Sequence, residues 1–273
     1  MDIVDTHAHI YAPDEQRYPT IEKPLRPPGG KGSLEDLREE MDAAGVAAAC
    51  IIQTSSFYRF DNRYILDSSK AAPEWAAGVV TLNPDDPETP ARLKRYVRVF
   101  GVRGVRSNPA QDGTIDNAGV RALWKAATDA GIVVNLHVRH TLADQAEKLL
   151  KEFPDLPVVL DHTAYPKAGP DLDEILAAVK RLSERPNLHA KLSFMATGSE
   201  GGYPCEDMHS ACLRVIHWFG AERCVWGSDF PCELWTPRVS YQEALDIFRT
   251  VLPLSADARA QILGGTARRL WFS

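Results

Sequence analysis

The chain has 273 residues, 44% of them hydrophobic and 25% charged, with a net charge of −6. This composition supplies a large globular core, and the acidic balance argues against a nucleic-acid partner. No apolar run reaches membrane-spanning length, no basic and apolar leader precedes the first strand, and the five scattered cysteines (Cys50, Cys205, Cys212, Cys224, Cys232) form no C-x-x-C pair, which together predict a cytoplasmic protein with reduced thiols and no membrane partner.

In chain order, the apolar runs predict strands at Ile3–His7, Val46–Gln53, Ala77–Leu82, Gly101–Arg106, Ile132–Val138, Leu156–His162, Leu188–Leu192 and Arg223–Asp229. Several are continuous and β-branched, as strands buried on both faces of a parallel sheet are. Helical segments fill the intervals. Ser33 precedes the first, with Glu35 and Asp36 in its opening turn and Gly45 as its stop. The others are predicted over Asn62–Ala72, Glu88–Phe100, Asn117–Ala130, Leu142–Phe153, Leu172–Glu184, Glu206–Phe219 and Tyr241–Val251, each closed by a nearby glycine or proline. A last helix runs from about Ala256 to Leu270.

Eight strand–helix units predict a single (β/α)8 TIM barrel over residues 1–273. The alternative is a doubly wound open sheet, and the lack of a Gly-rich turn after the first strand counts against it. The connections Ile10–Gly32, Phe194–Pro204 and Phe230–Val239 are long. All follow strands, so they are expected over the C-terminal face, where barrel active sites are built. The run Pro27 to Gly32 lacks phosphate-loop spacing and reads as a lid or linker.

Candidate chemistry gathers at the strand ends. In Asp5-Thr6-His7-Ala8-His9, strand alternation aims His7, His9 and Asp5 to one face. His137, His162 and Asp229 each lie at the end of an apolar run, and in a closed barrel such ends converge on one mouth. Imidazoles with a carboxylate suit zinc or a similar divalent ion, and a carboxylate beside a bound water can take its proton. Arg139 shares a face with His137, so either could be the functional group. Asp161, out of phase with His162, is expected to face the helices. His140, His189, His209 and His217 read as structural.

These motifs resemble the amidohydrolase superfamily, in its amidohydrolase-2 branch. Asp5-Thr-His7-Ala-His9 resembles the branch's first-strand D-x-H-x-H. Gln53 with Tyr58 and Asp61-Asn62-Arg63-Tyr64 resembles its second-strand Q…Y-x-x-D-N-x-Y, and Gly101 to Arg106 its G-V-R-G-[IV]-R. Val159-Leu-Asp-His162, Lys191-Leu-Ser193 and Trp226-Gly-Ser-Asp229-Phe-Pro231 resemble its later D-H, K-L-S and W-G-S-D-[WF]-P. The closing helix is similar too, with Thr266 where asparagine is usual.

The resemblance implies a barrel hydrolase. The branch holds lactonases of sugar, pyrone-dicarboxylate and muconolactone-type compounds, and zinc decarboxylases of the aminocarboxymuconate semialdehyde type. Some of the lactonases lack a strand-five His and activate water with the strand-eight Asp alone. The zinc members keep that His, and their strand-six His is catalytic. On this match His7, His9, His137 and Asp229 hold one divalent ion, expected to be Zn2+, and Asp229 and His162 are catalytic; a metal-free mechanism is left open. Gln53, Arg106, Tyr165 and Lys191 are the substrate-binding candidates, and Trp235, Phe57, Tyr58 and Phe194 are candidates to line the pocket. Tyr165 stands where the lactonase D-H-x-G-R-P run has arginine, which weakens the case for a dicarboxylate. The expected reaction is hydrolysis of a carbonyl ester, a lactone foremost. Non-oxidative decarboxylation and an inactive barrel used for binding are the alternatives. The expected partner is a small-molecule substrate, and a homo-oligomer is left open.

Overall fold

The computed structural model describes residues 2–273. Eight parallel strands follow one another in a single sheet: β1 (Val4–Ala8), β2 (Ala48–Ile52), β3 (Ala76–Thr81), β4 (Gly104–Ser107), β5 (Val133–Leu136), β6 (Val158–Leu160), β7 (Leu188–Lys191) and β8 (Cys224–Val225). The sheet closes on itself just beyond β8. Thr6 N–H donates to Trp226 O at 3.1 Å, Asp229 N–H to His7 O at 2.8 Å, and His9 N–H to Phe230 O at 2.8 Å. The predicted (β/α)8 barrel is therefore present. The last strand, Cys224–Val225, is shorter than expected, and just beyond it Gly227 passes so close to β1 that a Cβ there would lie 2.7 Å from His7 Cβ.

The helices fall where Gly, Pro and capping residues put them. Ser33 forms a capping box with Asp36, each side chain accepting from the other's backbone N–H, and Gly45 ends that helix at φ +73°. Between strands and helices lies a continuous apolar layer that includes Leu37, Ile51, Val134, Leu160 and Leu176. A second cluster fills the barrel itself: Val4, Ala48, Cys50, Ile52, Val79, Val133, Val159 and Val225, with Ala267 and Trp271 of the last helix. Gly104 makes room for Trp271, since a Cβ there would stand 3.3 Å from its indole nitrogen. The filled interior leaves the C-terminal mouth as the place for a site.

Two expectations of facing are corrected by this register. β1 pairs Val4 with Ala48 and Asp5 with Ala49, but Ala8 with Ile51, so β1 carries one extra residue. The bulge flips the alternation: Asp5 faces the helices, where its carboxylate accepts from Ser228 and the His7 backbone, while His7 and His9 face the mouth. On β6, Val159 lies inside the barrel, so Asp161 is in phase with the interior and not with the helices. His162 joins it because the chain turns left-handed there, with positive φ from His162 through Tyr165.

All five cysteines are buried free thiols. Among the described residues no helix is long and apolar enough to cross a membrane.

Candidate active site

The C-terminal mouth opens into a cavity of about 510 Å³ whose walls include His9, Arg106, His137, His162, Tyr165 and Asp229. His7 lies just beneath, fully buried, with its ring 4.9 Å from that of His9 and 4.5 Å from that of His162. Ligand atoms of His7, His9 and Asp229 all lie within 4.8 Å of one another. Asp229 Oδ1 is 3.5 Å from His7 Nε2 and 3.7 Å from His9 Nε2. Asp229 adopts φ +62°, which swings its carboxyl off the strand and over the two rings.

The hydrogen bonds assign the ring protons. His9 Nδ1 is 2.9 Å from Ile52 O, which can only accept, so the His9 Nε2 lone pair points at Asp229. Two acceptors facing each other repel unless a cation or a donor lies between them. His7 Nε2 and Asp229 Oδ1 are both buried without a hydrogen-bond partner, an arrangement that buried polar atoms avoid. The cluster thus fits a divalent ion when His7 carries its proton on Nδ1. Lys191 Nζ stands 3.1 Å from that Nδ1. When the ammonium donates there, the His7 proton sits on Nε2 and the cluster fits a water instead.

His137 shares the cavity but stands outside this cluster. Its Nδ1 is 2.7 Å from Asn108 Oδ1, and its Nε2 accepts from the Tyr165 hydroxyl. Arg139 is exposed and stacks 5.0 Å above the Tyr165 ring, so of the pair it is His137 that meets the cavity. His162 Nδ1 is 2.9 Å from Ser193 Oγ, leaving Nε2 for the cavity.

Beneath the rings lies a residue with no expected role. Asp161 is fully buried; Oδ1 accepts from Lys191 Nζ at 2.8 Å and Asn135 Nδ2 at 3.2 Å, and Oδ2 from Arg106 Nε at 2.9 Å. Lys191, also fully buried, rests 5.7 Å over the Trp271 ring. Lys191 therefore lies under the cavity and not in its wall. Gln53 is not in the wall either: its amide donates to Arg59 O and Asp61 O, pinning the loop after β2. Arg106 is in the wall, and its bond to Asp161 leaves both terminal nitrogens without a protein partner among the described residues. Of the aromatic candidates only Trp235 lines the cavity. Phe57 and Tyr58 pack against Tyr11 and Tyr18 of the first long loop, and Phe194 belongs to the core.

Charge follows burial. Burial pushes the Asp229 carboxyl up to about 7, against the pull of Arg106. Burial also holds His9 and His162 down at about 3 and His7 and His137 well below the usual imidazole value, Arg106 adding to the effect at all four, so these rings are neutral at pH 7. Burial alone would raise Asp161, but Lys191 and Arg106 outweigh it and hold the carboxyl below its ordinary range. The mouth therefore offers a near-neutral base, neutral imidazoles and one guanidinium.

The amidohydrolase family model matches residues 4–272, and the chain belongs to that family of hydrolases. Among proteins of known activity it is similar to an L-fucono-1,5-lactonase of Burkholderia ambifaria, 29% identical over 248 residues that cover 85% of this chain and 82% of the relative. Among solved structures it resembles a Pseudomonas putida protein described as a candidate 2-pyrone-4,6-dicarboxylic acid hydrolase, 28% identical with a TM-score of 0.82, covering 98% of this chain and 97% of the other. An amidohydrolase of Burkholderia multivorans with bound zinc shares the fold at 23% identity and a TM-score of 0.81, with 99% of each chain covered.

Proposed function

We propose that the chain is a lactonase, opening a small lactone by attack of a water that Asp229 deprotonates. The observation that carries this is the Asp229 carboxyl: buried, unpartnered at Oδ1, and 3.5 Å and 3.7 Å from the His7 and His9 Nε2 atoms at the edge of the cavity. Its carboxylate form can take a proton from a water held beside it. His7, His9 and Asp229 would hold one divalent ion, zinc by the nature of the donors. Such an ion, when bound, lends Lewis acidity to the carbonyl and to water.

The chain's own residues carry the rest. As the water oxygen bonds to the carbonyl carbon, Asp229 accepts the departing proton. The terminal nitrogens of Arg106 and, with the Ser193 hydroxyl donating to Nδ1, the Nε2–H of His162 face the developing oxyanion; one such donor is worth roughly 10²–10³ in rate. Collapse breaks the ring C–O bond, the alkoxide recovers the proton from Asp229, and a hydroxy acid leaves. Asp161 keeps Arg106 aimed upward. The L-fucono-1,5-lactonase relative supports ester opening over other hydrolyses. The buried thiols agree with a cytoplasmic location.

A second reading of the cofactor rests on Lys191. Its contact with His7 Nδ1 stabilises the tautomer that aims Nε2–H at Asp229, and that arrangement positions a water for Asp229 with no ion. The test is a lactone panel run on protein as purified, after chelation and after zinc addition, with product analysis. Acid release with ring opening is expected. Carbon dioxide release without ring opening, or no turnover in any metal state, would reject the lactonase.

A further inference from the structure

Attack at Asp229 leaves a phenol in the cavity wall without a task. Tyr165 lines the cavity together with His137 and Asn108. Its hydroxyl meets His137 Nε2, and His137 Nδ1 is 2.7 Å from Asn108 Oδ1. His137 stands outside the His7, His9 and Asp229 cluster, so this chain of three serves something else. Tyr165 is held at φ +66°, a left-handed conformation that a bulky residue keeps only when its surroundings enforce it. The Arg139 guanidinium lies 5.0 Å over the face of its ring.

The phenol is placed opposite the point of attack. His137 follows β5, which lies across the closed barrel from β1, the strand that carries His7 and His9. The His162 ring sits between the two sides, 4.5 Å from the His7 ring and 4.7 Å from the Tyr165 ring. The water and the departing ring oxygen occupy different corners of the tetrahedral carbon, so the group beside the water is not the one beside the leaving oxygen. Burial pushes the Tyr165 phenol up, so it is protonated at neutral pH, while Arg106 and Arg139 pull the other way and favour the phenolate once it forms. The Asn108 side chain has no other side-chain hydrogen bond among the described residues. An amide can accept from a His137 Nδ1–H or, turned over, donate to a bare Nδ1. In the second state His137 Nε2–H donates to the Tyr165 oxygen, and the phenolic proton is free for the cavity.

We propose that Tyr165 is the general acid of ring opening, its hydroxyl protonating the ring oxygen as it leaves, with His137 and Asn108 as its positioning residues. As the tetrahedral intermediate collapses, the ring C–O bond breaks and its electron pair takes the phenolic proton, giving the alcohol. His137 Nε2–H and the two guanidinium groups hold the phenolate. It recovers a proton from solvent, to which Asp229 returns the one it took from the attacking water. The proposal rests on the lactonase reading and refines one step of it: the proton passes from Asp229 to the alkoxide by way of solvent and Tyr165.

The test varies the leaving group. A phenoxide, the anion of an acid of pKa about 10, departs unaided; an alkoxide, whose acid is near the ~16 of water itself, needs a proton. Tyr165→Phe removes only the hydroxyl. Its kcat should fall about 10²–10⁴-fold on an aliphatic lactone that the parent protein opens, and less than about tenfold on dihydrocoumarin, whose ring oxygen leaves as a phenoxide. The ratio of the two losses cancels any loss of folded enzyme. A second readout needs the aliphatic lactone alone. With heavy oxygen in its ring, the isotope effect on kcat/KM should grow in the variant, because the C–O bond then breaks without a proton. Equal losses on both lactones with an unchanged isotope effect, or a parent that opens aryl lactones only, overturn the proposal and leave the lactonase intact. A parent that opens no lactone rejects the lactonase itself and this proposal with it.

Discussion

Asp161→Asn removes the one anion that neutralises two buried cations. Lys191 is fully buried and Arg106 nearly so, and both end on this carboxylate. The amide keeps the shape but can accept on one side only, so either Lys191 Nζ or Arg106 Nε faces a donor. Removing one partner of a buried ion pair costs about 3–5 kcal/mol. At about 2–4 °C per kcal/mol for a domain near this size, Tm should fall by roughly 6–20 °C in thermal melts followed by circular dichroism. The pH dependence gives a second readout. The Asp161 carboxyl is held below its ordinary range because Lys191 and Arg106 outweigh burial. Its stabilisation is therefore present above the unfolded value of about 4 and is lost as pH falls through the lower folded value. The gap between parent and variant should stay wide from about pH 5 to 8 and narrow only below about pH 4. A loss under about 1 kcal/mol, or a gap that does not change in acid, would refute Asp161 as the hub of the barrel.

Asp229 responds to pH in the opposite sense. Its folded value is raised to about 7 by burial, so its contribution to stability is full below about pH 4 and is lost as pH rises through 7. Activity runs the other way, since only the carboxylate is a base: log kcat/KM of ion-free protein should rise with unit slope to about pH 7 and then level, and a profile flat from pH 5 to 8 would contradict the assignment. His9→Ala removes one of three converging ligand atoms. Zinc affinity, read by calorimetry, should fall by more than the roughly 10–100-fold that loss of a supporting partner costs, and equal affinity would place the ion elsewhere.

Much of the fold was legible because buried β-branched runs alternate with segments closed by Gly or Pro, a pattern read locally. The strand ends carrying His7, His9, His137, His162 and Asp229 do meet at one mouth. What escaped was side-chain facing wherever the backbone leaves regular geometry. A bulge in β1 sends Asp5 to the helices. The left-handed turn after β6 brings His162 inside beside Asp161; Asp161 itself follows regular alternation, and the inward parity of Val159 was the signal that could have found it. Hydrogen-bond partners escaped for a different reason: those of His137 come from residues nearly thirty positions away, and those of Gln53 are backbone carbonyls of the following loop, which carry no residue signature. Asn108 and Tyr165 occupy both nitrogens of His137, and Arg59 and Asp61 take the Gln53 amide.

The Asp229 carboxylate as the group that activates water is tested most directly by Asp229→Asn, which keeps the volume and removes the base. With a lactone that the parent protein opens, proton release at pH 8 should slow by about 10²–10⁴-fold in kcat while the variant melts no lower than the parent, since it no longer buries a charge there. Turnover within about tenfold of the parent would mean that another group deprotonates the water, and the mechanism drawn from this site would be wrong.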